Sequence, residues 1–115
     1  PFSGGMSGTP AGLVNGQARL QVVHGPSDLM GRTFPLPSSQ SALIGRDPQA
    51  DILLGSERVS RRHCQMTPQP NGHYLLEDLG SSNGTLVNQT RIAGSILLKG
   101  GEYVQAGDCL LRFTV

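Results

Sequence analysis

Three short segments hold most of the side chains able to do chemistry. Ile44-Gly45-Arg46-Asp47-Pro48 ends an apolar run in a glycine and follows it with an arginine and an Asp-Pro turn. One arginine after a strand is most often a solvated surface group, so alone this segment predicts little. Ser56-Glu57-Arg58-Val59-Ser60-Arg61-Arg62-His63 places three of the chain's nine cationic side chains within five residues. The planar fork of arginine matches phosphate oxygens two at a time, and a neighbouring serine hydroxyl adds a donor, which suits a single phosphate monoester. A charged, solvated loop has the same composition. Asp78-Leu79-Gly80-Ser81-Ser82-Asn83-Gly84-Thr85 is dense in small hydrogen-bonding residues, the make-up of an Asx or Ser turn joining two strands.

Gly80-Ser81-Ser82-Asn83-Gly84 also satisfies G-x-S-x-G, the nucleophile elbow of serine hydrolases, and His63 with Asp78 completes a triad on paper. That chemistry needs a strand feeding a helix in a mainly parallel sheet, so the surrounding elements decide it. A metal site finds no support. His63 and Cys64 are adjacent, which on a strand sends them to opposite faces, and His24 and His73 have no ligand spacing around them. Nothing in the chain calls for a cofactor.

The elements between these segments read as strands. From Ala18 onward, short apolar runs alternate with turn residues: ARLQVV, RTFPL, SALIG, DILLG, HCQMT, HYLLEDL, GTLVN, SILLK, EYVQAG and CLLRFTV. Alternation is cleanest at the end, where Cys109, Leu111, Phe113 and Val115 are expected on one face and Leu110, Arg112 and Thr114 on the other. No stretch of ten or more residues keeps apolar positions at i, i+3, i+4 and i+7 without an interrupting Gly or Pro. Asn71-Gly72 between two runs signals a hairpin, since both residues tolerate positive φ. Many short strands joined by frequent turns predict an all-β antiparallel sandwich of about eleven strands. In that setting G-x-S-x-G is followed by the strand-like TLVN, and the hydrolase reading loses its context.

Composition narrows the function classes. Nine Lys and Arg against eight Asp and Glu leave a formal charge of +1, too little for the broad basic footprint of a nucleic-acid or membrane-surface binder. Two cysteines, Cys64 and Cys109, sit in strand-like runs with apolar neighbours and are expected in the core. Their small number favours a reducing cytoplasm, with one disulfide left open. No apolar run approaches the length of a membrane span, and no leader precedes the first strand. Residues 1–17, rich in Gly, Ser and Pro, are expected to be a linker ahead of one domain over residues 18–115. The start at Pro1 suggests a piece of a longer chain.

Taken in order, Gly45-Arg46, Ser60-x-x-His63, Ser81-Ser82-Asn83-Gly84-Thr85 and Val87-Asn88 resemble the forkhead-associated (FHA) domain family in type and spacing. The resemblance covers nearly everything from Ala18 to Val115. It implies a phosphothreonine-peptide binding module with no catalytic activity, whose partner is a protein phosphorylated by a Ser/Thr kinase. It also implies a role for each motif position. Arg46 corresponds to the phosphate-binding arginine and Ser60 to the serine that bonds a phosphate oxygen. Arg61 stands where a further polar side chain meets the phosphopeptide, and Ser82 where a Ser or Thr supports the phosphate. Asn83 matches the asparagine that bonds the peptide backbone, and Arg58 the position that selects the third residue after the phosphothreonine. Gly45, His63, Gly84, Thr85 and Asn88 match positions that brace the loops. Gln89 departs from the pattern, because the family often has Gly there, and this puts the turn geometry in question. The same fold also admits a docking module for an unphosphorylated partner or its own chain.

Overall fold

The computed structural model describes residues 17–115. The expected linker therefore lies outside the described residues except for Gln17, whose side-chain amide donates to the Leu36 carbonyl at 3.1 Å. Eleven strands follow in chain order: β1 (Arg19–His24), β2 (Thr33–Pro35), β3 (Ala42–Gly45), β4 (Ile52–Leu53), β5 (Cys64–Pro68), β6 (Tyr74–Asp78), β7 (Thr85–Val87), β8 (Thr90–Arg91), β9 (Ser95–Leu98), β10 (Tyr103–Ala106) and β11 (Cys109–Thr114). They form a six-stranded sheet in the order β2-β1-β11-β10-β7-β8 and a five-stranded sheet in the order β4-β3-β5-β6-β9.

The two sheets pack because each strand alternates. Leu20 and Val22 of β1, Tyr74 and Leu76 of β6, Val104 and Ala106 of β10, and Cys109, Leu111 and Phe113 of β11 point into one core, with polar or half-exposed residues between them. Each fully buried Leu or Phe contributes about 1.5 to 3 kcal/mol of transfer free energy. Tyr74 meets Phe113 edge-on across the core at 5.6 Å between ring centroids, and its hydroxyl donates to the Pro37 carbonyl at 2.7 Å. Cys64 and Cys109 are both fully buried and free, and burial pushes their thiols up to about 12 and about 11. Among the described residues no helix is long and apolar enough to cross a membrane.

Three local features differ from the sequence expectation. The strand pairings are antiparallel except that β3 and β4 run parallel, Ile44 beside Ile52 and Gly45 beside Leu53. The short link between them is possible because the Asp47-Pro48 turn doubles back: Ala50 N–H donates to the Asp47 carbonyl at 2.8 Å, and Gln49 N–H to the Asp47 carboxylate at 2.9 Å. β8 carries no apolar residue, so no apolar run announces it. Val115 lies past the end of β11 and is 47% exposed, so it does not continue the buried face of Cys109, Leu111 and Phe113. The Asn71-Gly72 hairpin forms, with both residues at positive φ between β5 and β6.

Candidate functional site

The three segments meet at one end of the sandwich because the strands that carry them are neighbours. β3 delivers Arg46, the loop from β4 into β5 delivers Arg58, Ser60 and Arg61, and the loop from β6 into β7 delivers Ser82 and Asn83. These six side chains line one open pocket of about 270 Å³, with Glu57 and Val59 completing its wall. Arg46, Arg58, Arg61, Ser82 and Asn83 are exposed there and Ser60 is half-buried.

Backbone contacts fix the loops first. The N–H groups of Arg46 and Asp47 donate to the carbonyls of Ser60 and Arg61 at 3.0 and 3.1 Å, laying the end of β3 against the second loop. Gly45 permits this approach, since a β-carbon there would overlap the Arg61 carbonyl oxygen and lie 2.8 Å from the carbonyl carbon. The Arg46 Nε then donates to the Val59 carbonyl at 3.0 Å, which aims the guanidinium and leaves its two terminal nitrogens free of partners among the described residues.

His63 joins the second loop to the third from inside. It is fully buried. Its Nδ1 accepts the Ser60 N–H at 3.0 Å, so the ring proton resides on Nε2, which donates to the Gly84 carbonyl at 2.9 Å. Both ring nitrogens are thereby occupied, and neither is available to draw a proton from Ser82. Asp78, the other member of the paper triad, is also committed. Its carboxylate accepts the hydroxyls of Ser81 and Thr85 at 2.5 and 2.8 Å and the N–H groups of Gly80 and Ser81 at 3.1 and 3.3 Å. Burial pushes the Asp78 carboxyl up, but these four bonds together outweigh it and hold the group below its ordinary value.

On the outer side, the Ser60 hydroxyl accepts the Ser82 N–H at 3.0 Å and keeps its own proton to donate. The Asn83 side chain donates to the Arg58 carbonyl at 2.7 Å, which leaves its Oδ1 and its second N–H directed to no described partner. The pocket thus presents convergent donors, three arginines among them, against one carboxylate from Glu57. Such a surface can hold an anion with several oxygens and a strand of polar backbone beside it.

A family model described as FHA domain matches residues 42–107, a span that contains all three loops. The chain belongs to the FHA domain family. Glycogen accumulation regulator GarA of Mycolicibacterium smegmatis is 38% identical over 110 residues, covering 96% of this chain and 66% of GarA. An FHA domain solved in a structural and functional analysis of phosphothreonine-dependent FHA domain interactions superposes with a TM-score of 0.75 at 31% identity, covering 86% of this chain and 96% of that one. EmbR of Mycobacterium tuberculosis, solved in complex with a low-affinity phosphopeptide, gives a TM-score of 0.75 at 31% identity, covering 86% of this chain and 24% of EmbR. The chain therefore spans less than two thirds of the length of its GarA relative.

Within this FHA domain the remaining motif residues fall in different places. Gly84 has φ of 80°, the left-handed backbone that favours glycine, and the exposed Arg91 side chain lies over it. Thr85 is buried on the Asp78 carboxylate. Asn88 lies outside the pocket, where its N–H donates to the Tyr103 carbonyl at 2.9 Å and its Oδ1 accepts the Tyr103 N–H at 3.0 Å, tying the β7–β8 turn to β10. Asn88 and Gln89 both have positive φ, so Gln89 adopts the conformation for which glycine is better suited.

Sequence reasoning passed over Gly107, Asp108 and Ser56. Gly107-Asp108 forms the two-residue turn between β10 and β11, with Gly107 at φ of 61°. A Gly-Asp pair between two apolar runs signals a hairpin. No local signal says that this hairpin reaches the Arg58 loop.

Proposed function

We propose that this FHA domain binds a phosphothreonine-containing segment of a partner protein and acts as a reader of Ser/Thr kinase signalling. The carrying observation is the convergence of Arg46, Arg58, Ser60, Arg61, Ser82 and Asn83 on one pocket, with the Arg46 guanidinium aimed by its Nε bond to Val59. In this reading the terminal nitrogens of Arg46 and the Ser60 hydroxyl take the phosphate oxygens, assisted by Arg61 and Ser82. Asn83 pairs with the peptide backbone through its free Oδ1 and N–H, and Arg58 meets a side chain further along the peptide. Gly45, His63, Gly84, Thr85 and Asn88 hold the scaffold. The likeness to an FHA domain studied for phosphothreonine-dependent interactions, and to EmbR with its phosphopeptide, supports the assignment.

The domain is proposed to have no catalytic activity, since the buried His63 has no free nitrogen for a hydrolytic role. A degenerate phosphothreonine peptide library, followed by titration of the selected peptide and its unphosphorylated twin, tests the reading. Selective binding of the phosphorylated form is expected. Equal binding of both forms would replace it with a phosphate-independent docking module.

A further inference from the structure

We infer that Asp108 and Ser56, neither of which lines the pocket, are positioning residues for the bound peptide, acting on Asn83 through the backbone on either side of the Arg58 α-carbon. This rests on the phosphopeptide reading above.

The chain of contacts is continuous. Ser56 is buried and its hydroxyl donates to the Asp108 carboxylate at 2.5 Å, a short charge-assisted bond that fixes where the hydroxyl proton points. With its proton committed, the Ser56 oxygen turns its lone pairs to the Arg58 N–H, 3.3 Å away. The other end of Arg58, its carbonyl, accepts the Asn83 amide at 2.7 Å. The β10–β11 turn also presses on the Arg58–Val59 peptide unit that carries this carbonyl, because Gly107 packs on it so closely that a β-carbon would overlap the Arg58 oxygen and lie 2.6 Å from its carbonyl carbon. A turn about fifty residues downstream thus sets the height and tilt of the Arg58 carbonyl, and that carbonyl sets the rotamer of the one amide offered to a peptide backbone.

The phosphate end has anchors that the variants leave in place. Ser60 is held by His63 through its N–H, the Arg46 backbone by the Ser60 carbonyl, and Val59, whose carbonyl takes the Arg46 Nε, donates its own N–H to the Ser56 backbone carbonyl at 3.1 Å. Loosening the Asp108–Ser56 bond is therefore expected to release Asn83 while leaving the Ser60 anchor in place. Affinity for the peptide frame should fall, and affinity for the phosphate group alone should not.

The test compares two probes, free O-phosphothreonine and a phosphothreonine peptide taken from the library, against wild type, Ser56→Ala, Asp108→Ala and Asp108→Asn. The two alanine variants are expected to bind the peptide about two- to twelvefold more weakly, the scale of a weakened neutral hydrogen bond between the Asn83 amide and the peptide backbone. They should bind O-phosphothreonine within about twofold of wild type and shift the Asn83 side-chain amide resonances. Asp108→Asn keeps an acceptor for the Ser56 hydroxyl and should recover most of the peptide affinity and the wild-type Asn83 signal. It also covers the case in which Asp108→Ala does not fold. Alanine variants that match wild type on the peptide would overturn the inference, as would a parallel loss for both probes with no rescue by Asn. A wild-type domain that ignores the peptide would remove the phosphopeptide reading itself.

Discussion

The hydroxyl of Ser60 accepts the backbone N–H of Ser82 at 3.0 Å, so one side chain both closes the gap between two loops and keeps a proton directed at the pocket. Ser60→Ala removes both functions. The bond lies at the surface, where water can take over the Ser82 N–H, so the stability cost is expected to stay below about 1 kcal/mol. Phosphopeptide affinity should fall by about 1.5 to 3 kcal/mol, the range for a hydrogen bond to a charged group. Calorimetric titration beside thermal melting separates the two effects.

Arg46 is exposed, and its guanidinium is oriented from its Nε. Arg46→Ala should cost about 2 kcal/mol or more in phosphopeptide binding with little change in melting temperature. Arg46→Lys should recover only part of that, because an ammonium has neither the Nε anchor nor the two-pronged fork. Full recovery by lysine would mean that charge alone, without orientation, holds the phosphate.

His63 behaves as a structural strut in this geometry. Replacing it with alanine leaves the Ser60 N–H and the Gly84 carbonyl without partners, each at about 1 to 3 kcal/mol when shielded from water. Chemical denaturation should show a lower midpoint. At temperatures where the variant is still folded, its peptide affinity should change less than its stability. An unchanged midpoint with lost binding would place His63 at the ligand instead.

Acid should loosen the third loop through Asp78. The folded protein holds this carboxyl below its ordinary value of 3.8, so the unfolded chain takes up the proton at a higher pH than the folded one. The stability this difference supplies is present in full above the unfolded value and is lost as pH falls through the folded value. Urea midpoints measured from pH 7 to pH 3 should therefore decline at the acid end. Asp78→Asn, which puts an amide N–H or a single oxygen where four donors converge, should start lower and decline less.

Gln89 is the one departure from the family pattern with a visible backbone consequence. Its φ of 73° follows the φ of 50° at Asn88. Gln89→Gly relieves that left-handed conformation and is expected to raise unfolding free energy by about 1 kcal/mol. Phosphopeptide affinity should not change, since the turn lies outside the pocket. A destabilised glycine variant would show that the Gln89 side chain makes a compensating contact.

Much of the molecule was legible in the chain itself, because strand and turn chemistry is local. Alternation alone put Cys109, Leu111 and Phe113 on one buried face, Asn71-Gly72 announced its hairpin through two residues that tolerate positive φ, and the first three of the four ordered motifs marked the loops that form the pocket. Other features depended on what lay across the fold. β8 has no apolar residue to betray it, since Thr90 and Arg91 are held by pairing with Val87 and Leu86 and not by burial. Val115 fits the alternation yet lies outside the sheet, because β11 pairs with β1 only as far as Thr114. Asn88 sits among the motif residues in sequence but is drawn by Tyr103 to a different surface. The link from Asp108 through Ser56 to Arg58 and Asn83 joins residues from three separate loops. The order of strands in two sheets creates that proximity, and the spacing of residues along the chain carries no trace of it.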